Sequence, residues 1–176
     1  EELVDLILEE VKKIKQPKIL DIGTGTGCIA ISIQQERPDS KVFAMDKFKG
    51  ALDLAIKNNI ENDTNVSFHQ VDALVTKEMT LFETNDFDVW VSNPPYIPTK
   101  DKVLMDKNVL DFEPDAALFV SDEDPLLFYR EIAISAHRGL KKGGLLFYEI
   151  HEDFGQETID LLISLGFKDI RLISDL

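Results

Sequence analysis

Five residues, Lys18 to Ile22, run directly into Gly23-Thr24-Gly25-Thr26-Gly27, and a helix-forming stretch starts at Cys28. Few folds accommodate that join. Ile19, Leu20 and Ile22 read as a short buried strand. Glycines let the backbone turn tightly and approach a ligand closely. The helix beyond presents unpaired N–H groups to whatever lies in the turn. Strand, glycine turn and helix in this order open a unit of parallel sheet.

The rest of the chain repeats the alternation. Leu3, Ile7, Val11 and Ile14 share one face of a predicted helix over 1–14, which Pro17 closes. Further helices are expected at 28–35, 50–59, 125–137 and 154–165. Strands are expected at 42–45, 66–71, 87–92, 145–150 and 170–173. Gly143-Gly144 reads as the turn into the fifth strand. Residues 97–124, with Pro98, Pro114 and many charges, read as a long loop of the kind that covers or binds. The expected architecture is α/β, with a mostly parallel central sheet and helices on both faces. No repeat or internal boundary divides residues 1–176.

Charge narrows the function. The chain carries 33 acids against 19 bases, a net charge of −14. A domain that grips nucleic acid by itself usually presents a basic face. Here Lys12, Lys13, Lys15 and Lys18 are spread between acids, and Arg138, Lys141 and Lys142 flank a predicted turn, so no direct nucleic-acid binding is expected. No apolar run is long enough to cross a bilayer, and the start resembles no signal peptide. Cys28 is the single cysteine, so an internal disulfide is impossible and a reducing cytoplasm is the simplest home.

Three acids stand at the ends of three successive strands. Asp21 stands one residue before the end of the first strand, with Ile22 between it and the glycine turn. Asp46 ends the second strand and is suited to accept both ribose hydroxyls of an adenosine. Asp72 ends the third and is suited to accept from an adenine amino group. Strand ends in a row line the crevice where open α/β sheets bind ligands. The spacing is G-x-G-x-G, whereas the dinucleotide fingerprint G-x-G-x-x-G would put its third glycine at Cys28. The ligand expected is therefore one without a pyrophosphate. A bare tight turn with no ligand is the plainer reading, and the placement of the acids disfavours it.

The fourth strand ends in Asn93-Pro94-Pro95-Tyr96. The prolines lack an N–H and restrict the residues before them. The turn is stiff and rich in acceptors, which suits an NH2 group on a planar system. The Asn93 side-chain oxygen can take one hydrogen and the Pro94 carbonyl the other. Tyr96 can lie against the planar face. An amide nitrogen is a poor nucleophile, and two acceptors that tighten as it pyramidalises favour the transition state. In-line positioning supplies the rest, without a strong base.

Other residues read more plainly. Cys28 is expected as a small packed side chain and Trp90 as core. His69, His137 and His151 lack metal-ligand spacing, so no metal is expected. Glu149, at the end of the fifth strand, is read equally as bordering the site or as structural.

These motifs resemble the release factor glutamine methyltransferases, the PrmC/HemK group, within the Rossmann-like class I S-adenosylmethionine-dependent methyltransferases. The resemblance is carried by Ile19–Ala30, Phe87–Pro98, Glu113-Pro114 with Ala117-Leu118, Leu127–Arg130, Lys142–Gly144 and Phe147–Ile150. It implies a cofactor site for S-adenosylmethionine, left as S-adenosylhomocysteine, at Asp21, Gly23, Thr24, Gly25, Thr26, Gly27, Asp46, Asp72, Ala73 and Asn93. It implies that Asn93, Pro94, Pro95 and Tyr96 hold the acceptor, a glutamine in the Gly-Gly-Gln motif of a peptide chain release factor. The family also has a helical substrate-binding domain before this region and a further strand after it. The chain is therefore expected to be the catalytic domain of a longer protein, lacking the last strand and weakly active on intact release factor.

Three other functions remain at this point. Exocyclic amino groups of DNA or RNA bases would suit the same turn, although the acidic balance opposes them. A nicotinamide-dependent oxidoreductase is disfavoured by the glycine spacing. A non-catalytic binding module is disfavoured by the intact Asn93–Tyr96 turn.

Overall fold

The computed structural model describes residues 2–104 and 115–174. Its strands are β1 (Lys18–Ile22), β2 (Lys41–Asp46), β3 (Ser67–Gln70), β4 (Phe87–Ser92), β5 (Ile97–Pro98), β6 (Phe119–Val120) and β7 (Leu140–Tyr148). Its helices are α1 (Glu2–Val11), α2 (Cys28–Glu36), α3 (Lys49–Glu61), α4 (Thr76–Met79), α5 (Asp115–Leu118), α6 (Leu127–Gly139) and α7 (Gly155–Ser164). The central sheet runs β3-β2-β1-β4-β7, every neighbouring pair parallel. The chain steps outward from β1 to β3, then returns to the other side of β1 with β4. Reversal of that kind opens a crevice at the carboxyl ends of β1 and β4.

Alternation along the strands assigns the two faces. Ile19, Val42, Ala44, Val89 and Val91 pack with Val4, Ile7 and Val11 of α1 and with Ala30, Ile31 and Ile33 of α2. Leu20, Ile22, Met45 and Trp90 pack with Met79 of α4 and with Ile132 and Ala136 of α6. All six residues of β4 are buried, as expected for a central parallel strand.

Several boundaries differ from the sequence reading. The first helix stops at Val11, where the Arg37 guanidinium takes the last helical carbonyl and that of Ile14 just beyond it. Nη1 donates to Val11 O at 2.9 Å and Nη2 to Ile14 O at 2.9 Å. The predicted loop 97–124 contains ordered pieces: β5 and β6 pair, a 3-10 turn spans Thr99–Leu104, and α5 follows. Glu113 and Pro114 lie outside the described residues, as do Glu1 and Leu176. The fifth main strand begins at Leu140, earlier than the expected turn at Gly143-Gly144. Those glycines form a bulge: Phe87 to Val89 on β4 faces Leu140 to Leu145 on β7, and Gly143 has φ 81. Residues 170–174 form no strand despite their β-branched and apolar character. They are held by side chains instead, with Leu172 packed on Gly155 and Arg171 paired to Glu10 at 2.5 Å. Among the described residues no helix is long and apolar enough to cross a membrane.

Candidate functional site

Register brings the sequence motifs to one edge. Ile22 pairs with Met45 and with Ser92, and Ser92 pairs with Tyr148. The next residues, Gly23, Asp46, Asn93 and Glu149, therefore stand side by side at the carboxyl ends of these strands.

The glycine turn takes its shape from β2. Gly23 N and Thr24 N both donate to Met45 O, at 2.9 and 3.0 Å. Gly25 N donates to Asp46 Oδ2 at 2.9 Å, and Phe48 N donates to Asp46 Oδ1 at 2.8 Å. From α3, Asn58 Nδ2 holds Thr26 O at 2.9 Å. Gly23 and Gly25 have φ 71 and 57, and a Cβ at either would meet nothing within 4 Å. Those two glycines face open space, which suits backbone approach to a ligand. Gly27 serves packing instead: its Cβ would lie 2.9 Å from Ile31 Cδ1 and 3.3 Å from Ala55 Cβ.

Asp21 sits beneath the turn, 1% exposed. Its Oδ2 accepts from Thr24 Oγ1 at 2.6 Å and from Ala30 N at 3.2 Å. Its Oδ1 is buried with no partner. Burial, assisted by the charge of Asp46, pushes this carboxyl up to about 6, against the two hydrogen bonds that pull it down. An orphaned carboxylate oxygen is what a donor or cation on a ligand would satisfy. Asp46 is also nearly buried. Each of its oxygens has one backbone partner and a lone pair to spare for a hydroxyl.

Asp72 lies beyond β3, where Val71 N donates to Asp46 O at 3.1 Å. Its carboxylate accepts from Leu74 N at 2.9 Å and pairs with Lys47 Nζ at 3.4 Å. Its amide donates to Glu78 Oε2 at 2.8 Å. Lys47, Gln70, Val71, Asp72 and Glu78 line a cavity of about 340 Å³. Ala73 follows, half-buried. An open polar cavity, a glycine cradle and two acids near them form a donor set that fits an adenosine-bearing ligand with a charged tail.

On the other flank, Asn93 is exposed, Pro94 is buried, and Pro95 and Tyr96 are half-buried. Ser92 Oγ donates to Ile22 O at 2.7 Å, tying the base of this turn to β1. The Tyr96 hydroxyl donates to Glu149 Oε1 at 3.1 Å.

Sequence reasoning missed Lys47, Asn58 and Glu78, and left Glu149 undecided. Lys47 alone carried a signal, directly after Asp46; Asn58 and Glu78 reach the site from helices whose facing depends on the fold. Cys28, expected to be packed, is exposed, with Sγ 3.2 Å from Thr26 Oγ1. Trp90 is core, as expected.

Comparison with known proteins agrees with this geometry. Residues 4–111 match the family model of the methyltransferase small domain. The release factor glutamine methyltransferase of Bacteroides thetaiotaomicron is 45% identical over 175 residues, 99% of this chain and 61% of that protein. The Flavobacterium psychrophilum protein of the same name is 44% identical over 100% of this chain and 61% of its own length. The chain thus spans about three fifths of these relatives. Among solved structures, the ribosomal protein L11 methylase of Lactobacillus delbrueckii subsp. bulgaricus superposes with a TM-score of 0.65 at 17% identity, covering 98% of this chain and 72% of that one. That likeness speaks to the fold: a Rossmann-like α/β sheet with methyltransferase neighbours. The chain belongs to the methyltransferase small domain family.

Proposed function

We propose that this chain is the catalytic domain of an S-adenosylmethionine-dependent enzyme that methylates the side-chain amide nitrogen of the glutamine in the Gly-Gly-Gln motif of peptide chain release factors. The observation that carries the reading is the register that sets the Asn93–Tyr96 turn beside the Gly23–Gly27 cradle at one sheet edge. The names of the relatives that match nearly the whole chain support the acceptor.

In this reading Gly23, Thr24, Gly25, Thr26 and Gly27 hold the methionine end of the cofactor, with Asp21 beneath. Asp46 takes the ribose hydroxyls, and Asp72 with Ala73 borders the adenine. When bound, the cofactor supplies an electrophilic methyl group on a sulfonium. Asn93 Oδ1 and the Pro94 carbonyl accept the two hydrogens of the acceptor NH2 and orient its lone pair. Pro95 stiffens the turn, and Tyr96 covers the planar face. The acceptors gain strength as the nitrogen takes up positive charge, which favours the transition state over the ground state. No metal takes part. A cytoplasmic site of action goes with this substrate.

The test is mass spectrometry on a release factor incubated with the full-length protein and S-adenosylmethionine. One added methyl on the Gly-Gly-Gln glutamine is expected. Asn93→Ala should lower kcat by about a hundredfold, with cofactor affinity reduced much less. Transfer only to nucleic-acid amino groups would overturn the reading.

A further inference from the structure

Pro94 and Pro95 stiffen the turn locally but take away two backbone donors that could tether it to its neighbours. Its placement must therefore be fixed by groups outside it. The residue that touches both of its ends is Glu149. The Glu149 amide donates to Ser92 O at 3.1 Å, one residue before Asn93. Its carboxylate accepts from the Tyr96 hydroxyl at 3.1 Å. One residue thus spans the segment from its first carbonyl to its last side chain.

Glu149 is itself anchored from below. The buried Tyr129 hydroxyl, on α6, reaches Glu149 O at 3.4 Å and accepts from the His151 backbone. Burial pushes that hydroxyl well up, so it stays a donor across the physiological range. The Tyr148 hydroxyl donates to Tyr129 O at 3.0 Å. The His151 ring meets the Tyr96 ring edge-on, with centroids 6.1 Å apart. The His151 Nδ1 is held in turn by the Asp153 amide at 3.1 Å. Tyr96 is thereby fixed at its hydroxyl and along its ring by the segment that follows β7.

We propose that Glu149 is a positioning residue for the acceptor turn, gripping Ser92 through its amide and Tyr96 through its carboxylate. The role in catalysis rests on the function proposed above; the grip itself does not. Because the carboxylate is exposed, its replacement leaves the core intact. Losing it frees the Tyr96 ring and lets the acceptor plane wander, which lowers kcat without touching the cofactor side.

The experiment uses the full-length protein with 13C-labelled tyrosine and the variants Glu149→Ala, Glu149→Gln, Tyr96→Phe and the double Tyr96→Phe/Glu149→Ala. The Tyr96 ring signals are identified by their loss in Tyr96→Phe. Glu149→Ala is expected to shift and broaden them, while Glu149→Gln, whose Oε1 still accepts, keeps them near wild type. On a Gly-Gly-Gln substrate, Glu149→Ala should lose about tenfold in kcat, with the S-adenosylmethionine Kd unchanged and most of the loss restored in Glu149→Gln. The double variant should be no worse than the poorer single one. Unmoved Tyr96 signals in Glu149→Ala would overturn the proposal. So would a kcat loss in Glu149→Ala that is fully additive with that of Tyr96→Phe. Wild-type protein that methylates no glutamine would sink the functional reading, and the ring signals would still decide the grip.

Discussion

Asp21 shows how much one side chain can set against the stability of its own fold. Its buried carboxyl binds a proton more tightly when folded than at its ordinary value of 3.8, reaching about 6. The resulting cost to the folded state is absent below about pH 3.8, grows between there and about pH 6, and is full above it. A shift of that size corresponds to about 3 kcal/mol. Asp21→Asn keeps the shape and removes the charge. It should raise Tm by several degrees at pH 7.5 and give no advantage at pH 4, a contrast that thermal scans at the two pH values would read. If the site holds a cofactor as proposed, the same variant should bind S-adenosylmethionine more weakly. Asp21, Asp46 and Asp72 were legible in the sequence because each lies at or within two residues of a strand's carboxyl end. The missing partner of Asp21 Oδ1 was not, since a residue string does not say which oxygen faces a donor.

At the scale of elements, legibility followed the partners. β1 and β4 are short apolar runs bounded by glycine or proline, and both were read to the residue. The run at 170–173 has the same β-branched character but no neighbour to pair with among the described residues, so it forms no strand. β7 was read to start five residues late, at Leu145 instead of Leu140, because Gly143-Gly144 reads as a turn where the ladder only bulges. The junction of α6 and β7 depends on another glycine that sequence could not explain. A Cβ at Gly139 would lie 2.0 Å from Trp90 Cζ2. Gly139→Ala must displace the largest side chain in the core and should cost about 3 kcal/mol. Gly166, past the end of α7 with φ +90 and open space around it, should cost only about 1 kcal/mol as alanine. Denaturant melts of the two variants would rank them, and equal losses would mean that Trp90 can move aside.

The whole molecule carries a net charge of −14, and several of its bases are paired with acids. Lys12 pairs with Glu9, Lys18 with Asp86, Arg138 with Glu83 and Lys141 with Asp88. These partners lie close by. At this net charge self-repulsion should dominate over these pairs. Raising NaCl from about 0.01 M to about 0.15 M is therefore expected to raise Tm; a fall would mean that the ion pairs outweigh the repulsion. The glycine turn adds a matter of timing. Its amides find their acceptors on Met45 and Asp46, residues made more than twenty positions later. On a chain emerging from a ribosome, the cradle has no form of its own until β2 has docked, so the loop that looks most local in the sequence is completed by a distant neighbour.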